Sequence, residues 1–189
     1  MSWTVLEQAH GALRSVVAGI EESDWALRTP CEKWNVAQVV RHAAGDQLGY
    51  AAAITGSGGP TEDPFAPSEG RPGATDLDAA LAAAAAAFAT VAPGTPEVAC
   101  PLPLGPLPAE TVVDAAALDA VVHAWDVAVA TGQPSPLAPE LAAHLTPVAE
   151  LIAGALRAFA FGPALDPEPG DDAAARLLRF LGRDPEWAR

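Results

Sequence analysis

The segment LDAVVHAWDVAVATG, residues 118–132, constrains any fold this chain can adopt. Most of it is alanine and valine, and a helix that is apolar on nearly every side has to be buried. Yet it carries Asp119, His123 and Asp126 at spacings of four and three, which puts all three on one helical stripe. A buried, unpaired carboxylate is costly, so this stripe requires partners from elsewhere in the chain.

The surrounding sequence predicts other helices. Trp3, Leu6, His10, Leu13, Val17 and Ile20 alternate at three and four, an amphipathic first helix that ends before Pro30. Asn35 is suited to cap a second helix over 36–56, with Val39, His42, Asp46 and Tyr50 near one face. A Gly- and Pro-dense loop follows, then a third helix over 75–92 with Thr75 as its N-cap. Six prolines between 93 and 110 demand an extended crossover, with room for a short strand at Val98. The fourth helix is expected over 109–131, with Gly132 just past its end. A fifth spans 140–160, kinked or opened by Pro147, and a short last one spans 171–182. Half of the residues are hydrophobic but only 6% are aromatic, so the core must rely on close helix approach. The expected fold is all-α: a four-helix bundle with a long Pro-rich crossover and short supporting helices, one domain over 1–189.

Charge excludes some functions. With 24 acidic and 10 basic residues the net charge is −14 at pH 7, and Lys33 is the only lysine. Such a surface repels nucleic-acid phosphates and anionic lipids, so neither is an expected partner. No leader pattern follows Met1, and the Ala-rich run 79–89 is too short and weakly apolar for a membrane span; a cytoplasmic location is expected. Cys31 and Cys100 fit no metal or redox spacing and read as free thiols. An alanine-rich bundle is compatible with a homodimer, although no surface in the sequence specifies one.

On spacing alone two readings of the stripe stay open. An acid followed by His at i+4 projects two donors toward one point, and His42 from a facing helix would complete a set of three around a divalent metal. Equally, a buried His held by an Asp is an ordinary feature of a protein core.

The segments TPCEKWNVAQVVRHAAG and LDAVVHAWDVAVATGQ, together with RLLRFLGRDPEW near the end, resemble the mycothiol-dependent maleylpyruvate isomerase N-terminal family within the DinB-like superfamily. The likeness is greatest to its actinobacterial metal-binding branch. It implies a DinB-like four-helix bundle with one divalent metal, His42 matching the helix-2 His and Asp119 with His123 matching the acid–His pair. The better-known isomerases usually have Glu at the acidic position, so Asp119 supplies a shorter arm. Histidine and carboxylate donors suit zinc first, and also nickel, iron or manganese. The resemblance also implies mycothiol as a thiol cosubstrate. Those isomerases carry a further C-terminal domain and this sequence ends soon after the bundle, so general thiol transfer is expected over maleylpyruvate isomerisation.

Neighbouring residues carry paired expectations. Asp126 would orient an imidazole of the centre, or form a cap or an ion pair with an arginine such as Arg41. His10 would line the pocket or add a fourth ligand, or be a satisfied core residue. His144, with no evident partner, reads as surface. Cys31, near a helix start, would be a reactive thiol at the pocket mouth or a small buried hydrophobe. Trp34 and Trp125 would be core fillers that wall the site, or would stack on a ligand. Three functions follow: a thiol-dependent S-transferase or isomerase acting on a small electrophile; a metal-dependent hydrolase with Asp46 or Asp126 as base; or a non-catalytic metal- or ligand-binding stress protein whose coordination is completed by His10.

Overall fold

The structure, a computed structural model, describes residues 3–73, 76–157 and 160–188. Six helices follow in order: α1 Thr4–Ala18, α2 Val36–Thr55, α3 Asp76–Ala89, α4 Ala109–Thr131, α5 Pro139–Leu156 and α6 Ala173–Phe180. The fold is all-α. Among the described residues the only β pairings are two isolated antiparallel bridges, Val98 with Leu107 and Arg28 with Asn35. The strand expected at Val98 is therefore a single bridge, since prolines on both sides remove the amide donors that a longer ladder needs.

Local chemistry sets the helix ends. Asn35 accepts from the Gln38 amide while the Gln38 side chain accepts from the Asn35 amide, a reciprocal capping box that starts α2. Gly132 ends α4 at φ 72°, the left-handed conformation that glycine adopts without a Cβ clash. Pro147 lies inside a continuous α5 and does not open a new helix. The Thr75 cap lies outside the described residues.

The α4 helix is the central one, and α1, α2 and α5 pack against it. Ala116, Ala120, Ala124 and Ala128 are completely inaccessible, so small side chains let neighbouring helices come close. The α3 helix closes the other side of α2, and α6 packs on α5. The loop between α2 and α3 and the Pro-rich crossover fold over the junction of α2 and α4 through Pro64, Phe65, Pro101 and Leu102. That junction holds the polar stripe.

Candidate metal centre

Two helices present mirrored pairs. On α2, His42 and Asp46 are four residues apart, with His42 Nε2 3.5 Å from Asp46 Oδ2. On α4, Asp119 and His123 are four apart, with His123 Nε2 3.5 Å from Asp119 Oδ1. The two imidazoles meet edge to face at 4.7 Å between ring centroids. One donor atom each from His42, Asp119 and His123 lies within 4.8 Å of the others. Three donors bonded to one ion at about 2.1 Å sit roughly 3.4 Å apart in a tetrahedron, so small side-chain rotations would bring this set to bonding distance.

The tautomers suit such a set. His42 Nδ1 is 2.8 Å from the Pro64 carbonyl, which can only accept, so Nδ1 carries the hydrogen and Nε2 keeps its lone pair. Burial, with His123 beside it, pushes the His42 pKa down to about 3 and keeps the ring neutral. His123 Nδ1 is 3.0 Å from Asp126 Oδ2, which again leaves Nε2 facing the centre. Trp34 lies against the His42 ring at 4.4 Å, with Phe65 at 5.5 Å from it.

Asp126 is fully buried and receives Arg183 as a fork, Nε to Oδ1 at 2.9 Å and Nη2 to Oδ2 at 2.8 Å. Burial alone would raise its pKa, but the Arg183 guanidinium and the His123 N–H outweigh it and hold the pKa below the ordinary carboxylate range. Arg41, the partner suggested by sequence, is instead engaged with Glu62. Arg183 is positioned by Gly182, whose φ is 79° and where a Cβ would come within 2.8 Å of the Pro163 carbonyl oxygen.

A second relay supports Asp119. Gln47 is completely buried; its Nε2 donates to the Ala116 carbonyl at 3.0 Å and to Asp119 Oδ2 at 3.2 Å. This fixes the amide orientation, so Oε1 accepts from His10 Nε2 at 2.8 Å. Asp46 and Asp119 share a hydrogen bond, and burial raises both pKa values, to about 7 and about 8, with repulsion from Asp46 adding to the rise at Asp119. The pair thus shares a proton near neutrality, which a divalent cation would displace.

The structure separates the paired expectations. His10 spends its Nε2–H on Gln47 and supplies no donor to the centre. Trp125 is buried in the core and lines neither cavity that meets the centre; Trp34 forms the wall. Burial pushes the Cys31 thiol up to about 12, the opposite of activation. His144 is exposed but pairs with Asp114 at 3.1 Å. Sequence reasoning missed Gln47 and Arg183. Gln47 continues the buried stripe Val36, Val40, Ala43 at helical spacing, and a glutamine there was the available signal. Arg183 answers the buried Asp126 from 57 positions away, which spacing cannot reveal.

Comparison with known proteins agrees with this architecture. Residues 6–128 match the family model described as "Mycothiol maleylpyruvate isomerase N-terminal domain". Two relatives from strains of Mycobacterium tuberculosis, "Uncharacterized protein MT0763" and "Uncharacterized protein Rv0738", are each 32% identical over 184 residues, covering 94% of this chain and 94% of the relative. No solved structure matches. A helical bundle with this match across most of its length belongs to the DinB-like mycothiol maleylpyruvate isomerase N-terminal domain family.

Proposed function

We propose that this protein binds one divalent metal through His42, Asp119 and His123 and uses it to add a small thiol, mycothiol in the first instance, to a small electrophile. The observation that carries this reading is the convergence of two histidines, each hydrogen-bonded through Nδ1 so that Nε2 faces the centre, and one carboxylate on the wall of a cavity. Zinc suits the donor set best, with nickel, iron and manganese as further candidates. Held by two imidazoles and one carboxylate, a divalent ion would keep net positive charge and would favour a thiol beside it as the nucleophilic thiolate.

The chain's own residues handle the protons. Asp46 takes the thiol proton when the Asp46–Asp119 pair has given up its own. The sulfur lone pair then forms a C–S bond to the β-carbon of an α,β-unsaturated carbonyl, the π pair moves to the α-carbon, and Asp46 returns the proton there. Reversal after rotation about the bond between the α- and β-carbons, now single, gives isomerisation; release without reversal gives a thioether. Asp126 is held by Arg183 and His123, so it acts as a support for His123 and not as a base. We also read residues 1–189 as one cytoplasmic domain. The test is loss of enone absorbance with zinc-loaded protein, with and without thiol. Turnover that requires the thiol is expected. Consumption of an ester or amide without thiol would favour hydrolysis instead.

A further inference from the structure

Two cavities reach the centre and share His42, Phe65, His123, Ala160, Phe161 and Arg183 as their common wall. One, of about 420 Å³, runs past Glu32, Lys33, Trp34 and Arg157 and offers polar groups along its length. The other, of about 370 Å³, lies between α2, α4, α5 and the two covering loops. Its walls are aliphatic and aromatic, among them Leu102, Leu118, Val122, Ile152 and Phe161. Its polar lining residues are His42, Asp46, Tyr50, Asp119 and His123 from α2 and α4, and Arg183 from beyond α6.

We infer that the 370 Å³ cavity is the electrophile subsite and that it takes an uncharged, apolar molecule carrying one polar head, not a dicarboxylate. This rests on the metal reading above for the head, and on the cavity alone for the body. The volume lies at the lower end of small-molecule sites, roughly 300–1,000 Å³. Among the described residues the one cationic side chain in its lining is Arg183, whose Nε and Nη2 both donate to Asp126. A second carboxylate on the ligand would therefore face hydrocarbon, Asp46 and Asp119, and would meet a guanidinium whose charge is already paired with the buried Asp126. An apolar body gains from the same walls by leaving water. The polar cleft on the other side of His42 and Phe65 leaves a separate approach for a hydrophilic thiol.

Linear alkyl hydroxamates, from acetyl to hexanoyl, titrated calorimetrically into zinc-loaded protein test this assignment. The hydroxamate head binds the metal and the tail reports on the cavity. Affinity is expected to rise about fourfold per added methylene, the factor for burying one CH₂. Succinic monohydroxamate, which ends in a carboxylate, is expected to bind no tighter than the acetyl compound. Gly49 borders the cavity, and a Cβ there would sit at an ordinary 3.8 Å from Pro101. Gly49→Leu should therefore keep its zinc and its affinity for the acetyl compound while losing most of the chain-length dependence. Affinity independent of tail length with zinc retained would overturn the assignment, as would succinic monohydroxamate binding as tightly as the hexanoyl compound. A parallel series of 1-alkanols, read by saturation-transfer NMR on metal-free protein, separates the two readings. Length-dependent alkanol binding in a protein that takes up no zinc when zinc is added would overturn the metal reading and support the cavity. Zinc retained without length dependence in either series would overturn the cavity and leave the metal reading standing.

Discussion

Arg183→Met is the most informative single change, because it removes a charge while keeping most of the side chain's bulk. In the folded protein both Arg183 and Asp126 are buried, and the guanidinium makes two hydrogen bonds to the carboxylate. Without Arg183 the carboxylate keeps only the His123 N–H, far from water. Removing one partner of such a pair costs about 3–5 kcal/mol, most of it the penalty of the charge left behind. For a chain of this size that corresponds to a fall in Tm of roughly 6–20 °C. Asp126→Asn alone should cost a similar amount, since it strands the guanidinium. The double variant strands neither charge, so its cost should be less than the sum of the singles by about 1–3 kcal/mol. The pair's contribution also has a pH signature. The folded-state pKa of Asp126 is depressed, so the stabilisation is present above the ordinary carboxylate range and is lost as pH falls through the folded value. Urea denaturation of the four proteins at neutral pH reads the cycle. A cost for Arg183→Met below about 1 kcal/mol, or strictly additive singles, would refute the claim that this ion pair supports the centre.

Other consequences follow from the neighbouring contacts. Gln47→Leu strands the buried His10 N–H and removes the amide donor to Asp119, and should lower stability by about 1–3 kcal/mol in urea denaturation. In the metal-free protein Asp46 and Asp119 have raised folded-state pKa values, so they disfavour the folded state increasingly as pH rises from the ordinary carboxylate range to about 8. Wild type should accordingly lose stability relative to Asp46→Asn over that window, as read by urea midpoints at pH 5 and pH 8. Cys31, with its thiol pushed up to about 12, should be alkylated by iodoacetamide at pH 8 more slowly than free cysteine in peptide mapping, and Cys31→Ala should retain thiol-dependent turnover.

Much of the fold was legible because local chemistry agrees with the tertiary structure. The Asn35 cap, the terminal Gly132 and the proline-dense crossover mark helix ends by themselves, and the α4 boundaries follow from them. The polar stripe on α4 pointed to a buried cluster, and helix periodicity placed His42 on the inward face of α2. Which groups satisfy that cluster depends on contacts distant in sequence. Several arginines could have answered Asp126, and only the chain path after α6, with the left-handed Gly182, selects Arg183 over Arg41. Likewise His10 was a fourth-donor candidate by sequence, yet its ring is held by Gln47. Trp34 and Trp125 were equivalent by sequence proximity to the cluster. The former lies in the loop that folds against His42, while the latter points from α4 into the core.

The account's central claim is a metal held by one histidine from α2 and an acid–histidine pair from α4. Metal content by mass spectrometry, on protein purified without a histidine tag and beside His42→Ala and His123→Ala, tests it most directly. The account predicts close to one divalent ion per chain in wild type and loss of that ion in both variants, with folding retained. A folded wild-type protein that stays metal-free after incubation with zinc or nickel would contradict it, leaving Asp119, His123 and Asp126 as a structural network alone.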